Sequence, residues 1–370
     1  MDAANRVIIA GGGLGGLIAA IRLNRAGFAC TLIEKKRYPF HRVCGEYISH
    51  ETTDFLKREG LYPEAFNPPQ ITTLQLSSVS GKTSSAALDL GGFGISRYTF
   101  DHHLCGIAEK EGVKVLNDTE IESIDYSHSF QVKTISQLFE ADFVIGAFGK
   151  RSKLDIQLNR RFIKDRSPYV GVKYHVRTNH PNNLIALHNF RGGYCGVSNV
   201  EDGKTNVCYL THRDQLKKTG SIEALEQTVL FENPLLKTLF TNADFLFEKP
   251  EVINEISFET KEPVLNHILM VGDAAGMITP LCGNGMAMAI HSAKILTDLM
   301  IDHKNHSRND LERAYAIAWR KAFSNRLWFG RQIQHNLFGT EVGSNLAVSL
   351  AVNSRFITNT LIKLTHGKPF

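Results

Sequence analysis

Apolar residues run unbroken through Val7, Ile8, Ile9 and Ala10, recur at helical spacing over 17–26, and run again over 29–33. This predicts a buried strand, a helix and a second buried strand. A glycine-rich turn from Gly11 to Gly16 separates the first strand from the helix, Gly27 ends the helix, and Glu34 ends the second strand. A helix capped by Ser49 is expected over 49–58. Weak alternation over 71–78 and 84–95, broken at Ser80-Gly81, predicts antiparallel strands of a second sheet. A helix over 99–111, a strand over 113–116, a hairpin over 121–125 and 130–135, and a buried strand over 141–147 follow. From 169 to 210 the pattern is all-β, with strands at 170–176, 184–190, 194–200 and 205–210 and an Asp202-Gly203 turn before the last. Helices over 221–231 and 235–240, a strand over 252–258, a short buried strand over 268–271, a helix over 285–302 and a mostly helical stretch over 309–365 complete the pattern.

The turn between the first strand and helix carries chemistry. Gly11, Gly13 and Gly16 form G-x-G-x-x-G in its full strand–turn–helix–strand setting. Gly11 allows the tight turn, Gly13 lets backbone approach a pyrophosphate, and Gly16 lets helix and strand pack closely. The pyrophosphate then meets free N–H groups at the positive end of the helix. Glu34 is placed to accept hydrogen bonds from ribose hydroxyls and to repel a 2′-phosphate, which argues against NADP in this slot. The turn alone does not decide between NAD and FAD.

Composition narrows the class. With 370 residues the chain is long enough for about two domains. A net charge of +5 spread along the chain gives no nucleic-acid recognition motif. The six cysteines lack C-x-x-C or zinc-finger spacing, so free thiols in a reducing cytosol are expected. No leader and no apolar stretch of spanning length is read, so a cytoplasmic protein is expected, with peripheral membrane contact left open. The fifteen histidines carry no H-E-x-x-H or carboxylate cluster, and no metal site is assigned. A G-x-S-x-G elbow is missing, which removes triad hydrolysis.

Three separated stretches resemble the flavoprotein superfamily of geranylgeranyl reductases and aromatic hydroxylases, the group A flavoproteins. The first runs from the glycine turn to Glu34. The second is Arg97 with Phe100, Asp101 and Leu104, similar to R-x-x-[LF]-D-x-x-L. The third is Gly272-Asp273 with Pro280, Gly283 and Gly285, similar to G-D-A-A-x-x-x-x-P-x-x-G-x-G. The resemblance implies FAD and an α/β chain with an α+β insert. A Rossmann-like FAD-binding domain would be assembled from 1–70, 97–155 and 262–300. An antiparallel substrate-binding sheet would come from 71–96 and 156–261, and a helical region from 301–370. The cofactor residues it implies are Gly11, Gly13, Leu14, Gly15, Gly16, Glu34, Lys35, Arg42, Arg97, Gly149, Asp273, Pro280, Gly283, Asn284, Gly285 and Met286. Asp273 would bond ribityl hydroxyls. Free N–H groups over 283–285 would face the flavin's pyrimidine edge and favour its reduced, anionic form. Where the superfamily often has G-A-D-G-x-x-S this chain has Phe148 in place of the acid, which puts direct NADPH handling in doubt.

Gly276 after Gly272-Asp273-Ala274-Ala275, and Cys44-Gly45 after a basic loop, look more like the reductase branch than the hydroxylases. The halogenases' W-x-W-x-I-P element is not found, since Trp319 and Trp328 fall in late helices. The expected reaction is hydride transfer from reduced flavin to a double bond of an apolar or aromatic substrate. Cys44 is the catalytic candidate, as proton donor or polarisable wall, with Arg42 and Glu46 fixing its loop. Tyr194 and Cys195 either line the substrate face or pack the sheet core, the latter being favoured. The alternatives are a monooxygenase using oxygen at the flavin and, from another class, a non-catalytic flavin or lipid carrier. The electron donor, NADPH or NADH directly or a separate flavin or electron-transfer reductase, stays open. Leu327, Trp328, Phe329 and Leu337 either cover the substrate sheet or meet an apolar partner, packing within the protein being favoured.

Overall fold

The computed structural model describes residues 5–164, 167–254, 256–279, 283–302, 307–337, 343 and 366–370. Two sheets organise it. The first has six strands in the order Val264–Leu265, Ile268–Met270, Phe143–Gly146, Arg6–Ala10, Ala29–Ile33, Lys114–Leu116. All its pairings are parallel except the edge pair Val264–Leu265 with Ile268–Met270. The expected buried runs sit at its centre, with Val7, Ile8, Ile9 and Ala10 all sealed from solvent, as a sheet covered on both faces requires. Helix Leu14–Arg25 packs on this sheet and against helices Arg97–Lys110 and Gly285–Asp302.

The second sheet has nine strands. From one edge they run Asp244–Phe245, Tyr169–Arg177, Thr205–His212, Gly193–Asn199, Leu184–Phe190, Gln70–Ser77, Thr83–Gly94 and Tyr47–Ser49, while Glu251–Asn254 also pairs with Tyr169–Arg177. Its pairings are antiparallel apart from Leu184–Phe190 with Gln70–Ser77. Side chains alternate between its faces. Val170, Val172, Tyr174 and Val176 pack with Leu225, Leu230 and Leu236 of the helical cover. Leu187, Tyr194 and Leu210 form a separate cluster with Ile256 and Met277 on the other side.

Several elements differ from expectation for local reasons. The hairpin gains a third strand, Leu138–Ala141, and becomes a small sheet of its own. Tyr47–Ser49 is a strand of the large sheet, too short at three residues to show an alternation. Ser49 does act as a cap, accepting from the Glu51 N–H, for a short 3-10 turn that leads into helix Thr53–Arg58. Of the expected 252–258 strand, the described part is Glu251–Asn254, and 256–258 are not strand; helix Arg213–Thr219 was not anticipated. Asp202 and Gly203 both take left-handed φ, 59° and 65°, as the hairpin turn requires. In helix Arg308–Leu337, Leu327 is buried as expected, but Trp328 is 58% exposed. The side chain of Leu337 and most of the expected helical stretch beyond it lie outside the described residues. No helix among the described residues is long and apolar enough to cross a membrane.

Candidate active site

The glycine turn is shaped from within. Gly11 has φ of +109°, and a Cβ there would lie 2.4 Å from the Ala147 carbonyl oxygen. A Cβ on Gly16 would lie 2.1 Å from the Gly11 carbonyl oxygen and close to Ile9 and Ala147. These two glycines hold strand, turn and helix together and do not themselves face open space. Gly13, Leu14 and Gly15 do: they line a cavity of about 670 Å³. Gly13 is the N-cap of helix Leu14–Arg25 and offers no side-chain cap, and the first turn holds no acid. The helix end is thus left bare toward the cavity, as an anion site needs.

A chain of charges stands beside it. Glu34 is buried and accepts the Gly12 N–H at 2.9 Å and the Lys36 N–H at 3.1 Å. Arg42 Nη2 donates to the same carboxylate at 3.1 Å, and its Nε donates to Asp101 at 3.1 Å. Asp101, one helical turn beyond Arg97, grips the Arg97 guanidinium with two bonds of 2.7 Å. Glu34, Lys35, Arg42 and Arg97 all line the cavity. Asp101→Asn removes a buried charge partner from two arginines at once, and the expected cost is about 1–3 kcal/mol of stability, read by urea unfolding.

The loop carrying Cys44 is clamped through its carbonyls. Lys173 Nζ donates to Arg42 O at 3.2 Å, Lys150 Nζ to Val43 O at 3.2 Å, and Asn206 Nδ2 to Cys44 O at 3.2 Å. Three successive carbonyls are thereby bound, and Cys44 lines the cavity half-buried. Glu46 completes the clamp. It is fully buried at φ 54°, with Lys173 Nζ donating at 2.5 Å, His175 Nε2 at 2.6 Å and the Arg97 backbone N–H at 2.8 Å. Burial pushes its carboxyl up, but the Lys173 charge and the His175 hydrogen bond overcome that and hold it down at about 2. His41, stacked on Tyr98 at 4.6 Å and edge-on to His175 at 5.2 Å, is pushed down to about 4 by burial and the Lys173 charge.

Asp273 lies on the turn Gly272–Ala274 after strand Ile268–Met270 and lines the cavity, as does Gly149 with φ +84°. Lys261 stitches these two turns together, its Nζ donating to Lys150 O at 2.7 Å and Asp273 O at 2.8 Å. Burial lowers Lys261 to about 8, with the Asp273 charge opposing. Gly283 (φ +63°), Gly285 and Met286 line the cavity where helix Gly285–Asp302 begins. Asn284 is buried behind them. Pro280 lies outside the described residues. Tyr194 lines the cavity, whereas Cys195, one residue on, belongs to the opposite face of the sheet.

The N-terminal turn, the Asp273 turn and the 283–285 turn therefore share one cavity, and the second sheet walls its far side with Leu74, Leu76, Leu88, Ile185, Leu187 and Leu210. Sequence reasoning missed Lys150, Lys173, His175, Asn206 and Lys261. The one signal was in strand Tyr169–Arg177, where Lys173 and His175 interrupt an apolar run at alternate positions.

A fold of this kind, with a glycine turn opening on a cavity shared by a second sheet, is that of an FAD-dependent oxidoreductase. The chain belongs to the FAD binding domain family, whose model matches residues 4–327. Among curated proteins it is similar to conditioned medium factor receptor 1 of Dictyostelium discoideum, 22% identical over 97% of this chain and 76% of that protein. It is also similar to digeranylgeranylglycerophospholipid reductase of Methanosarcina acetivorans, 24% identical over 85% of this chain and 80% of that one. Among solved structures, the flavin-dependent halogenase CmlS matches with a TM-score of 0.75 at 18% identity, over 97% of this chain and 68% of that one. The protein is an enzyme of the FAD-dependent oxidoreductase class, with the mixed α/β flavoprotein fold read from its sequence.

Proposed function

We propose that the enzyme is a reductase that saturates a carbon–carbon double bond in a neutral, apolar substrate. The observation that carries this is the character of the sheet wall. The cavity residues drawn from the nine-stranded sheet are mostly apolar, with Ser198, Glu251 and Asn254 and the hydroxyls of three tyrosines as the exceptions, and none of them is a lysine or arginine. A carboxylate or phosphate buried against that wall would meet no cation there, and the carboxylate of Glu251 would oppose it. An extended hydrocarbon would instead gain about 25 cal/mol for each Å² it buries. The similarity to an archaeal lipid reductase supports the same reading.

In this reading the bare first turn of helix Leu14–Arg25, with Arg97, holds the pyrophosphate, and Glu34 faces the adenosine ribose. Asp273 and the 283–285 turn hold the ribityl chain and flavin edge. Reduced FAD supplies a hydride. Saturation also needs a proton at the neighbouring carbon, and Cys44 Sγ is the donor on the cavity wall, its thiolate regaining a proton from solvent. The three bound carbonyls fix the backbone from which the thiol projects into the cavity.

The test is turnover without oxygen. Protein reduced with dithionite, or with NADH or NADPH, is offered a polyprenyl substrate, and the product gains two mass units for each bond saturated. Consumption of oxygen with an oxygen atom in the product would overturn the reading in favour of a monooxygenase, and bound FAD that turns over neither way would favour a carrier. Cys44→Ser should leave FAD binding unchanged and slow saturation by about a hundredfold, within the usual range for loss of a general acid; unchanged turnover removes Cys44 from the mechanism.

A further inference from the structure

Residues 366–370 reach the same cavity from a remote part of the chain. His366 lines it and stands edge-on to the Tyr47 ring at 6.2 Å. Phe370 stacks on the His291 imidazole at 3.9 Å and 14° and lies 5.8 Å from the Phe55 ring. Its backbone N–H donates to the Glu51 carbonyl at 3.3 Å. Between the two aromatic ends, Gly367 is pressed against the Glu51 side chain, so closely that a Cβ there would fall 1.9 Å from Glu51 Oε2.

Glu51 is where this segment meets the flavin site. It is fully buried, and its carboxylate faces the Arg326 guanidinium at 3.6 Å, the Asn284 side chain and the Gly367 backbone N–H. Burial pushes the carboxyl above its ordinary value, against the pull of these three donors. Asn284 is itself buried, between Gly283 and Gly285, which line the cavity. One carboxylate therefore touches both the 366–370 segment and the turn assigned to the flavin edge. A buried carboxylate that holds one donor from each segment, the Gly367 N–H and the Asn284 side chain, with Arg326 beside them, favours one arrangement of the two segments.

We propose that Glu51 is a latch: it fastens residues 366–370 to the 283–285 turn, and the seated segment is what retains FAD in the cavity. Glu51 is a positioning residue in this scheme, acting through Asn284. Phe370 supplies the anchoring area and Gly367 the close approach. The inference rests on FAD occupancy, which family membership supports, and not on the reductase reading, so it stands or falls separately from the substrate.

The experiment measures FAD release from the holoenzyme, by recovery of flavin fluorescence after dilution, together with iodide quenching of the bound flavin. Phe370→Ala removes the anchor; Gly367→Ala wedges the segment off Glu51. Each should speed FAD release at least tenfold and make the flavin more open to iodide; both also loosen core packing, so Leu236→Ala, a truncation in the separate core of the large sheet, serves as the control that lowers the apoprotein melting temperature without changing release. Adding Glu51→Gln to Phe370→Ala should speed release little further, because both act on one latch. Unchanged release in both single variants, or release sped equally by Leu236→Ala, overturns the proposal.

Discussion

Lys173→Met lowers the unfolding free energy by about 3–5 kcal/mol at neutral pH, the largest loss of stability expected from one side chain around this site. Lys173 and Glu46 are both fully buried and joined at 2.5 Å. Removing the lysine leaves the Glu46 charge in the interior with only His175 Nε2 and the Arg97 N–H beside it. The pH dependence has a definite sign. In the native protein the Glu46 carboxyl is held at about 2, below its unfolded value, so it contributes stability that is present above about 4.5 and lost as pH falls toward 2. In the variant the largest opposing charge is gone and burial dominates, so the folded carboxyl rises. The gap between the two proteins should then be widest at pH 7 and narrow as acid neutralises Glu46. Urea unfolding across pH 4 to pH 8 measures this, and a gap that is flat with pH would show that Glu46 is not the group left stranded. Lys173→Met with Glu46→Met should cost less than Lys173→Met alone, because no buried charge remains.

Such a pair has no sequence motif, which explains what was and was not legible beforehand. The glycine turn was readable because its demands are local: φ at Gly11 and close packing at Gly16 depend on a few neighbouring residues and the strand they follow. The buried strands were readable because the central sheet seals both faces and leaves unbroken apolar runs. The clamp on Cys44 was not, because Lys150, Lys173 and Asn206 come from three different strands or loops and converge only once the large sheet forms. The sequence marked Arg42 and Glu46 as fixing their loop, and the structure supplies the partners. Arg97 was expected to meet the cofactor; it does line the cavity, but its guanidinium is already oriented by Asp101, a relation visible in the i, i+4 spacing. Tyr194 and Cys195 show a limit of another kind. Neighbours in a strand face opposite ways, so one reading for both could not be right.

Three alanine substitutions at glycines separate cofactor binding from folding. Gly16→Ala should lose both. Its Cβ would fall 2.1 Å from a backbone oxygen in the same turn, where no flexible side chain can move aside. Such overpacking costs about 1–3 kcal/mol and shifts the turn that offers the helix end to the pyrophosphate. Gly13→Ala should keep stability and lose FAD. There a Cβ meets only the Arg97 Nη2 atom, at 3.5 Å, so the protein accommodates it, but the methyl group occupies the bare backbone that a pyrophosphate must approach. The expected fall in FAD affinity is at least about a hundredfold, roughly 3 kcal/mol. Gly106→Ala should do neither harm. It lies inside helix Arg97–Lys110 with nothing within 4 Å of the added atom, and the substitution should raise stability by about 0.5–1 kcal/mol. Flavin titration of the apoproteins and their urea unfolding read the two effects apart. If Gly13→Ala binds FAD normally, the pyrophosphate does not sit on this turn, and the placement of the whole cofactor along the cavity must be redrawn. If Gly13→Ala loses stability as severely as Gly16→Ala, the turn is a packing element first, and its openness to the cavity carries no argument for a ligand.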